Sequence, residues 1–303
     1  MAQAAFSGEA EARQTMDPEQ AVAAADERLA AAADLLARQV ALGPCRLLDD
    51  ETVARVRALM RDLAAQLAGA DHALIDPLRD MLAANRAILA HCHALAVEWR
   101  LAMTLAARRG IDPVLPPLMR RRIDASGVGD DVAAVSTALL AAQTRLGENV
   151  RRMSLPLTEL PADLQNLARA MLGAARADRS EAALMAEVPH RVAPDEGHGR
   201  LALLYRVVAG LGEDMVMALR LDEAGVPLFF TALAIASGHP REAVILACAE
   251  DDALRLALLL RAAGLSRDEA AHQLLALRPD ADWALVDAVH DAAAAETALG
   301  AAR

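Results

Sequence analysis

His91, Cys92 and His93 form the most ligand-like local cluster in the chain, because imidazole nitrogens and a thiolate are common donors to zinc and related ions. Their spacing works against a shared metal. Residues i and i+2 of a helix point about 200° apart, so the two imidazoles converge only where the helix breaks between them. Metal sites built on one helix use i and i+4, and the sequence holds no such histidine pair. The ordinary reading is a pair of helix-surface or hinge histidines beside a small buried cysteine. A second group, His190, Asp195, Glu196 and His198, combines oxygen and nitrogen donors in a stretch rich in Pro and Gly. Its spacing matches no metal pattern, and a solvated interdomain loop has the same composition. A metal-dependent or phosphotransfer enzyme using His91 and His93, or the His190 to His198 loop, is therefore the alternative reading of function.

Arginine carries the more informative charge. Between residues 100 and 152 nine arginines stand against five acids, a local +4 in a protein of net charge -11. Arg120, Arg121, Arg122, Arg151 and Arg152 are the candidate contacts for an acidic or phosphorylated protein partner, since the guanidinium fork binds carboxylate and phosphate bidentately. The competing reading is a solvated surface, with some arginines answering helix C-terminal carbonyls. Nucleic acid is disfavoured as a partner by the overall acidity and by the lack of aromatics interleaved with the arginines. No nucleophile motif, phosphate-cradling loop or dinucleotide fingerprint is present, so no catalytic residue, cofactor or resident metal is assigned.

The elements that must position these residues follow from composition. Of 303 residues 55% are hydrophobic but only 2% aromatic, and none of the 31 basic residues is a lysine. Ala and Leu must therefore build the core, and both are strong helix formers. A β-sandwich or barrel would need more β-branched and aromatic residues, so the chain is expected to be all-α. Three widely spaced cysteines, Cys45, Cys92 and Cys248, suggest no disulfide framework and fit a reducing compartment. The N-terminus lacks the basic and apolar regions of a signal peptide. The longest uncharged stretch, 224–240, is interrupted by Pro227 and Gly238 and falls short of the ~20 apolar residues of a membrane span. These features lead to the expectation of a cytoplasmic protein without a membrane partner.

Along the chain, residues 1–16 read as a flexible tail and 17–187 as an N-terminal helical array. Helices are expected from Pro18 to about Leu42, from Asp49 or Asp50 to Gly69, over 74–109 with a break near His91 to His93, from Pro113 or Pro116 to about Arg122, over 132–150, 161–175 and 180–187. Leu155 to Pro161 is a loop between two proline stops. Residues 188–198 read as a linker.

Beyond the linker, glycines at 199, 212, 225, 238 and 264 stand 13 residues or twice that apart. Two residues after them come Asp214, Pro227, Pro240 and Ser266, which are good helix-starting residues. The pattern reads as left-handed glycine ending one helix and a cap or proline opening the next. Helices of about ten residues are marginal alone and must pack on neighbours, so 199–303 is expected to stack as an α-solenoid of short hairpins, closed by a helix over 281–298.

Three segments also resemble a known family. Arg151-Arg152-Met153-Ser154-Leu155-Pro156-Leu157-Thr158-Glu159-Leu160-Pro161, preceded by Gln143-Thr144-Arg145, is similar to a segment of the bacterial family called domain of unknown function 2336. Gly110-Ile111-Asp112-Pro113-Val114-Leu115 and Arg261-Ala262-Ala263-Gly264-Leu265-Ser266-Arg267 resemble two further runs of it. The resemblance implies an all-helical, HEAT-like, cytoplasmic protein and supplies no catalytic or ligand-binding residue. The leading expectation is thus a non-enzymatic helical-repeat protein that acts as an interaction scaffold or regulator.

Overall fold

The computed structural model describes residues 18–42, 50–125, 131–177, 199–250, 253–279, 281–287 and 291–301. The expected tail, the helix over 180–187 and the linker 188–198 lie outside them. The described residues form fourteen α-helices and no strand, so the protein is all-α. The helices are α1 Pro18–Leu42, α2 Asp50–Ala68, α3 Ile75–Ala84, α4 Arg86–Arg109, α5 Pro117–Ala125, α6 Asp131–Arg151 and α7 Ala162–Ala177. They continue with α8 Arg200–Ala209, α9 Met215–Ala218, α10 Leu221–Ser237, α11 Arg241–Leu246, α12 Leu254–Ala262, α13 Arg267–Leu277 and α14 Ala292–Ala301. Among the described residues no single helix is long and apolar enough to cross a membrane.

The break expected at His91 to His93 falls instead at Asn85. Its side chain accepts hydrogen bonds from the backbone N–H groups of Ala87 and Ile88, both at 3.1 Å, and so ends α3 and opens α4. The histidines then sit inside one uninterrupted helix. Of the evenly spaced glycines, Gly212, Gly225, Gly238 and Gly264 have φ between 55° and 86°. Gly199 departs from the pattern, standing extended before α8 at φ -62°. Gly225 is needed for space as well. A Cβ there would meet the Pro116 ring at 3.1 Å, so the turn between α4 and α5 can pack directly on the kink inside α10. The segment expected as one final helix is a 3₁₀ turn, Trp283–Val286, followed by α14. Asp282 starts that turn by accepting from the Ala284 N–H.

Two compact units form, interleaved in sequence. The larger holds residues 33–232 and 241–246, and the smaller holds the described parts of 1–32, 233–240 and 247–303. Helices before and after 188–198 belong together in the larger unit. The reason is packing: α8 lies against α6 and α11 against α4, so these short helices bury their apolar faces on long N-terminal helices. In the smaller unit α12 and α13 pair as a hairpin, opened at Ser266 by a capping box with Glu269, and α14 covers α12. Arg255 on α12 makes ion pairs with Glu250 and with Asp26 of α1.

The larger unit is built on α2, whose Val53, Val56, Leu59, Met60, Leu63 and Leu67 are buried along one face. The loop between Pro156 and Pro161 docks on the same helix through polar groups. A single 3₁₀ turn, Leu157–Glu159, answers part of its backbone, and α2 answers the groups that precede it. Asp62 accepts from the Ser154 hydroxyl at 2.9 Å and the Leu155 N–H at 2.8 Å. Gln66 donates to the Leu155 carbonyl at 2.8 Å and accepts from the Leu157 N–H at 3.0 Å. The chain enters this loop through Met153, whose φ of 59° makes it the one non-glycine residue with positive φ among the described residues. Replacing Asp62 by Ala leaves two loop donors without an acceptor, so thermal or urea unfolding should report a loss of ~1–3 kcal/mol. An exposed control such as Arg61→Ala should change little.

Candidate functional site

The apolar stripe of α4 runs through His91, Leu95, Ala102 and Leu105, and Glu98 falls in the middle of it. A carboxylate on that face must be paired, because burying it alone is prohibitive. Its partners come from far along the chain, at the first residues of α8 and α11. Arg241 grips Glu98 bidentately, with Nη1 and Nη2 donating at 3.0 and 2.8 Å. Arg200 Nη2 donates to the same carboxylate, and its Nε to the Gln143 side chain on α6. The remaining donors of Arg241 reach Thr231 Oγ1 at 3.0 Å and the Pro227 carbonyl at 3.4 Å. All three charged side chains are at least 95% buried. Burial by itself would raise the Glu98 pKa, but the adjacent Arg200 and Arg241 guanidinium groups outweigh it and bring the carboxyl down to about 2. These bonds tie α4, α6, α8, α10 and α11 together.

His91 is also spoken for. Its Nδ1 lies 3.0 Å from Glu242 Oε1 on α11, and that hydrogen bond, with burial opposing it, holds the Glu242 carboxyl below its usual range. The imidazole is 3% exposed, and its Nε2 is buried without a hydrogen-bond partner among the described residues. Burial pushes the Cys92 thiol up to about 12, which leaves no thiolate near neutrality. Burial also lowers His93 to about 4, with Arg100 adding repulsion, so His93 is neutral at pH 7. Among the described residues no group of three or more His, Cys, Asp or Glu is placed to hold a metal. His190, Asp195, Glu196 and His198 lie outside the described residues. A cleft of about 450 Å³ opens beside His91 and Glu242, lined also by Asp163, Leu201 and Tyr205.

The five candidate arginines divide into two places. Arg121 and Arg122 line an open groove of about 700 Å³ with Leu118, Val132, Leu211 and Met217, and with one acid, Asp214. Arg121 donates to Glu223 at 2.6 Å and Arg122 to the Gly210 carbonyl at 3.2 Å, while Arg120 on the same helix is exposed. Arg151 and Arg152 stand at the far end of α6. Nineteen residues separate Val132 from Arg151, about 28 Å along the helix at its usual rise. The local +4 therefore makes two separate surfaces.

The buried Glu98, Arg200 and Arg241 were not among the sequence candidates. Glu98 had a signal, a lone charge in an apolar stripe. Arg200 and Arg241 had none, because an arginine at a helix start runs against the helix dipole and reads as surface. No family model, curated protein or solved structure matches the chain.

Replacing Glu98 by Gln leaves two buried guanidinium groups without their counter-charge, and unfolding should show a loss of ~3–5 kcal/mol. Because the folded pKa is depressed to about 2 from an ordinary 4.5, the pair's contribution is present above pH 4.5 and lost as pH falls towards 2. The wild-type melting temperature should accordingly fall more steeply over that window than that of Glu98→Gln. Parallel curves would mean that Glu98 is not ionised in the folded protein.

Proposed function

We propose that this protein is a non-enzymatic helical-repeat scaffold of HEAT-like organisation, acting in the cytoplasm, that captures an acidic or phosphorylated segment of another protein through its exposed arginines. The observation that carries the reading is the groove along α5, where Arg121 and Arg122 stand over an apolar floor of Leu118, Leu211 and Met217. Such a groove offers guanidinium donors for carboxylate or phosphate and apolar area for the side chains between them. Arg120 and Arg121 are exposed, and Arg121 pairs with the partly buried Glu223 from the solvent side, where an ion pair contributes little to stability. The resemblance to the domain of unknown function 2336 family and the even spacing of positive-φ glycines support the scaffold reading, and among the described residues no side-chain group is placed to hold a metal.

The triple change Arg120→Ser, Arg121→Ser and Arg122→Ser removes three positive charges at little cost to the core. Affinity capture from native cytoplasm, quantified by mass spectrometry, should then lose its acidic or phosphorylated partners. Binding by the wild type should weaken steeply as salt is raised. An unchanged set of captured proteins would remove the arginines from the proposal.

A further inference from the structure

Met153 breaks a rule that the rest of the chain keeps. At Gly238 and Gly264 a helix ends in the same way: the next residue's N–H reaches back five residues to a carbonyl, and the glycine's own N–H reaches back three. At the end of α6 the pattern recurs, with Ser154 N–H to the Asn149 carbonyl at 2.9 Å and Met153 N–H to the Val150 carbonyl at 3.1 Å. The turn demands a left-handed residue. At every other positive φ stands a glycine: Gly69, Gly110, Gly238 and Gly264 after helices, Gly212 at a 3₁₀ turn and Gly225 at the kink in α10. Only here, among the described residues, does a side chain occupy the position, against the steric preference of every L-residue.

The backbone requirement explains the conformation but leaves the methionine unexplained. Its side chain stands out at the helix tip, 37% exposed, directly after two exposed arginines. Arg151 has no partner among the described residues, and Arg152 reaches only Glu148, at 3.9 Å with both side chains largely in solvent. Strained residues held at a surface mark sites where the side chain is used. Methionine is suited to such a use, because its unbranched thioether adapts to irregular apolar partners.

We infer that Arg151, Arg152 and Met153 form a contact tip that binds a short acidic peptide segment carrying an apolar side chain between its carboxylates, the arginines taking the charges and Met153 the apolar group. The inference rests on the scaffold reading but uses a surface about 28 Å from the α5 groove. Charge selects the partner: two largely solvent-exposed guanidinium groups, only one of them near a carboxylate, repel basic segments and favour acidic ones.

The test uses the full chain and two labelled peptides, Glu-Glu-Leu-Glu-Glu and the same peptide with Ala at its centre, followed by fluorescence anisotropy. The wild type should prefer the leucine peptide. Met153→Gly should weaken that peptide at least about fivefold, close to the effect of losing half a buried apolar side chain, while the melting temperature stays level or rises. Met153→Asn, which tolerates the left-handed turn, should behave alike, and Arg151→Ser with Arg152→Ser should abolish binding of both peptides. Equal affinity of Met153→Gly and wild type for the leucine peptide overturns the inference while leaving the arginine scaffold intact. A lower melting temperature in both Met153 variants also overturns it, because the side chain is then packing for the fold. Loss of binding only on changing Arg120 to Arg122 places the contact in the other groove. Failure of the wild type to bind either peptide, with retention on vesicles rich in anionic lipid, overturns both readings in favour of a membrane surface.

Discussion

One buried carboxylate shared by two guanidinium groups holds the larger unit in register. Glu98 lies 102 residues from Arg200 and 143 from Arg241, and each arginine is the first residue of a short helix. A helix of ten residues or of six has little stability of its own. A cation at its start is moreover unfavourable with the helix dipole. Both penalties are offset only when α8 and α11 are seated with their first turns against α4. The charges therefore specify one docking of these helices among many that apolar faces of Ala and Leu would tolerate. Gln143 and Thr231 complete the set by accepting from the two Nε–H groups, which brings α6 and α10 into the same arrangement.

The loop from Ser154 to Pro161 is settled by the same logic with neutral partners. Two prolines limit the segment to one 3₁₀ turn and leave backbone donors and carbonyls before it that must be answered elsewhere. Asp62 and Gln66, one helical turn apart on α2, are spaced to answer successive groups of an extended segment, and the Gln66 amide also bonds to Asp62. Leu155 and Leu160 can then be buried in the main core although the backbone between them is irregular. This run of the sequence thus serves the fold with its buried residues, and leaves Arg151, Arg152 and Met153 exposed.

Arginine has two different uses in this lysine-free chain. Inside, Arg55, Arg200, Arg241 and Arg255 each reach several acceptors at once, which a planar fork does and an ammonium group on a flexible stem does poorly. Outside, Arg120, Arg151 and Arg152 contribute field and hydrogen-bonding capacity to solvent-facing surfaces. Position along the chain does not separate the two uses. Arg200 and Arg241 look like surface residues until the helices that carry them are packed.

Much of the local structure was legible without coordinates. Alanine and leucine propensity, proline and glycine punctuation and the apolar stripe of α2 place most helices within a residue or two, because helix formation and termination are local events. The left-handed glycines at 212, 225, 238 and 264 follow from the same local chemistry. Asn85 shows the limit even there, since its capping signal competed with an unbroken run of helix formers on both sides. Tertiary structure alone decided the rest. Which short helix lies on which long one, and hence the interleaving of the two units, depends on partners more than a hundred residues apart. The same long-range packing turned Glu98, Arg200 and Arg241 into a buried strut, fixed His91 against Glu242, and divided one band of arginines into two surfaces. Side-chain type and spacing along a chain determine which bonds are possible, whereas only the packed helices determine which of them are shielded from water and therefore made.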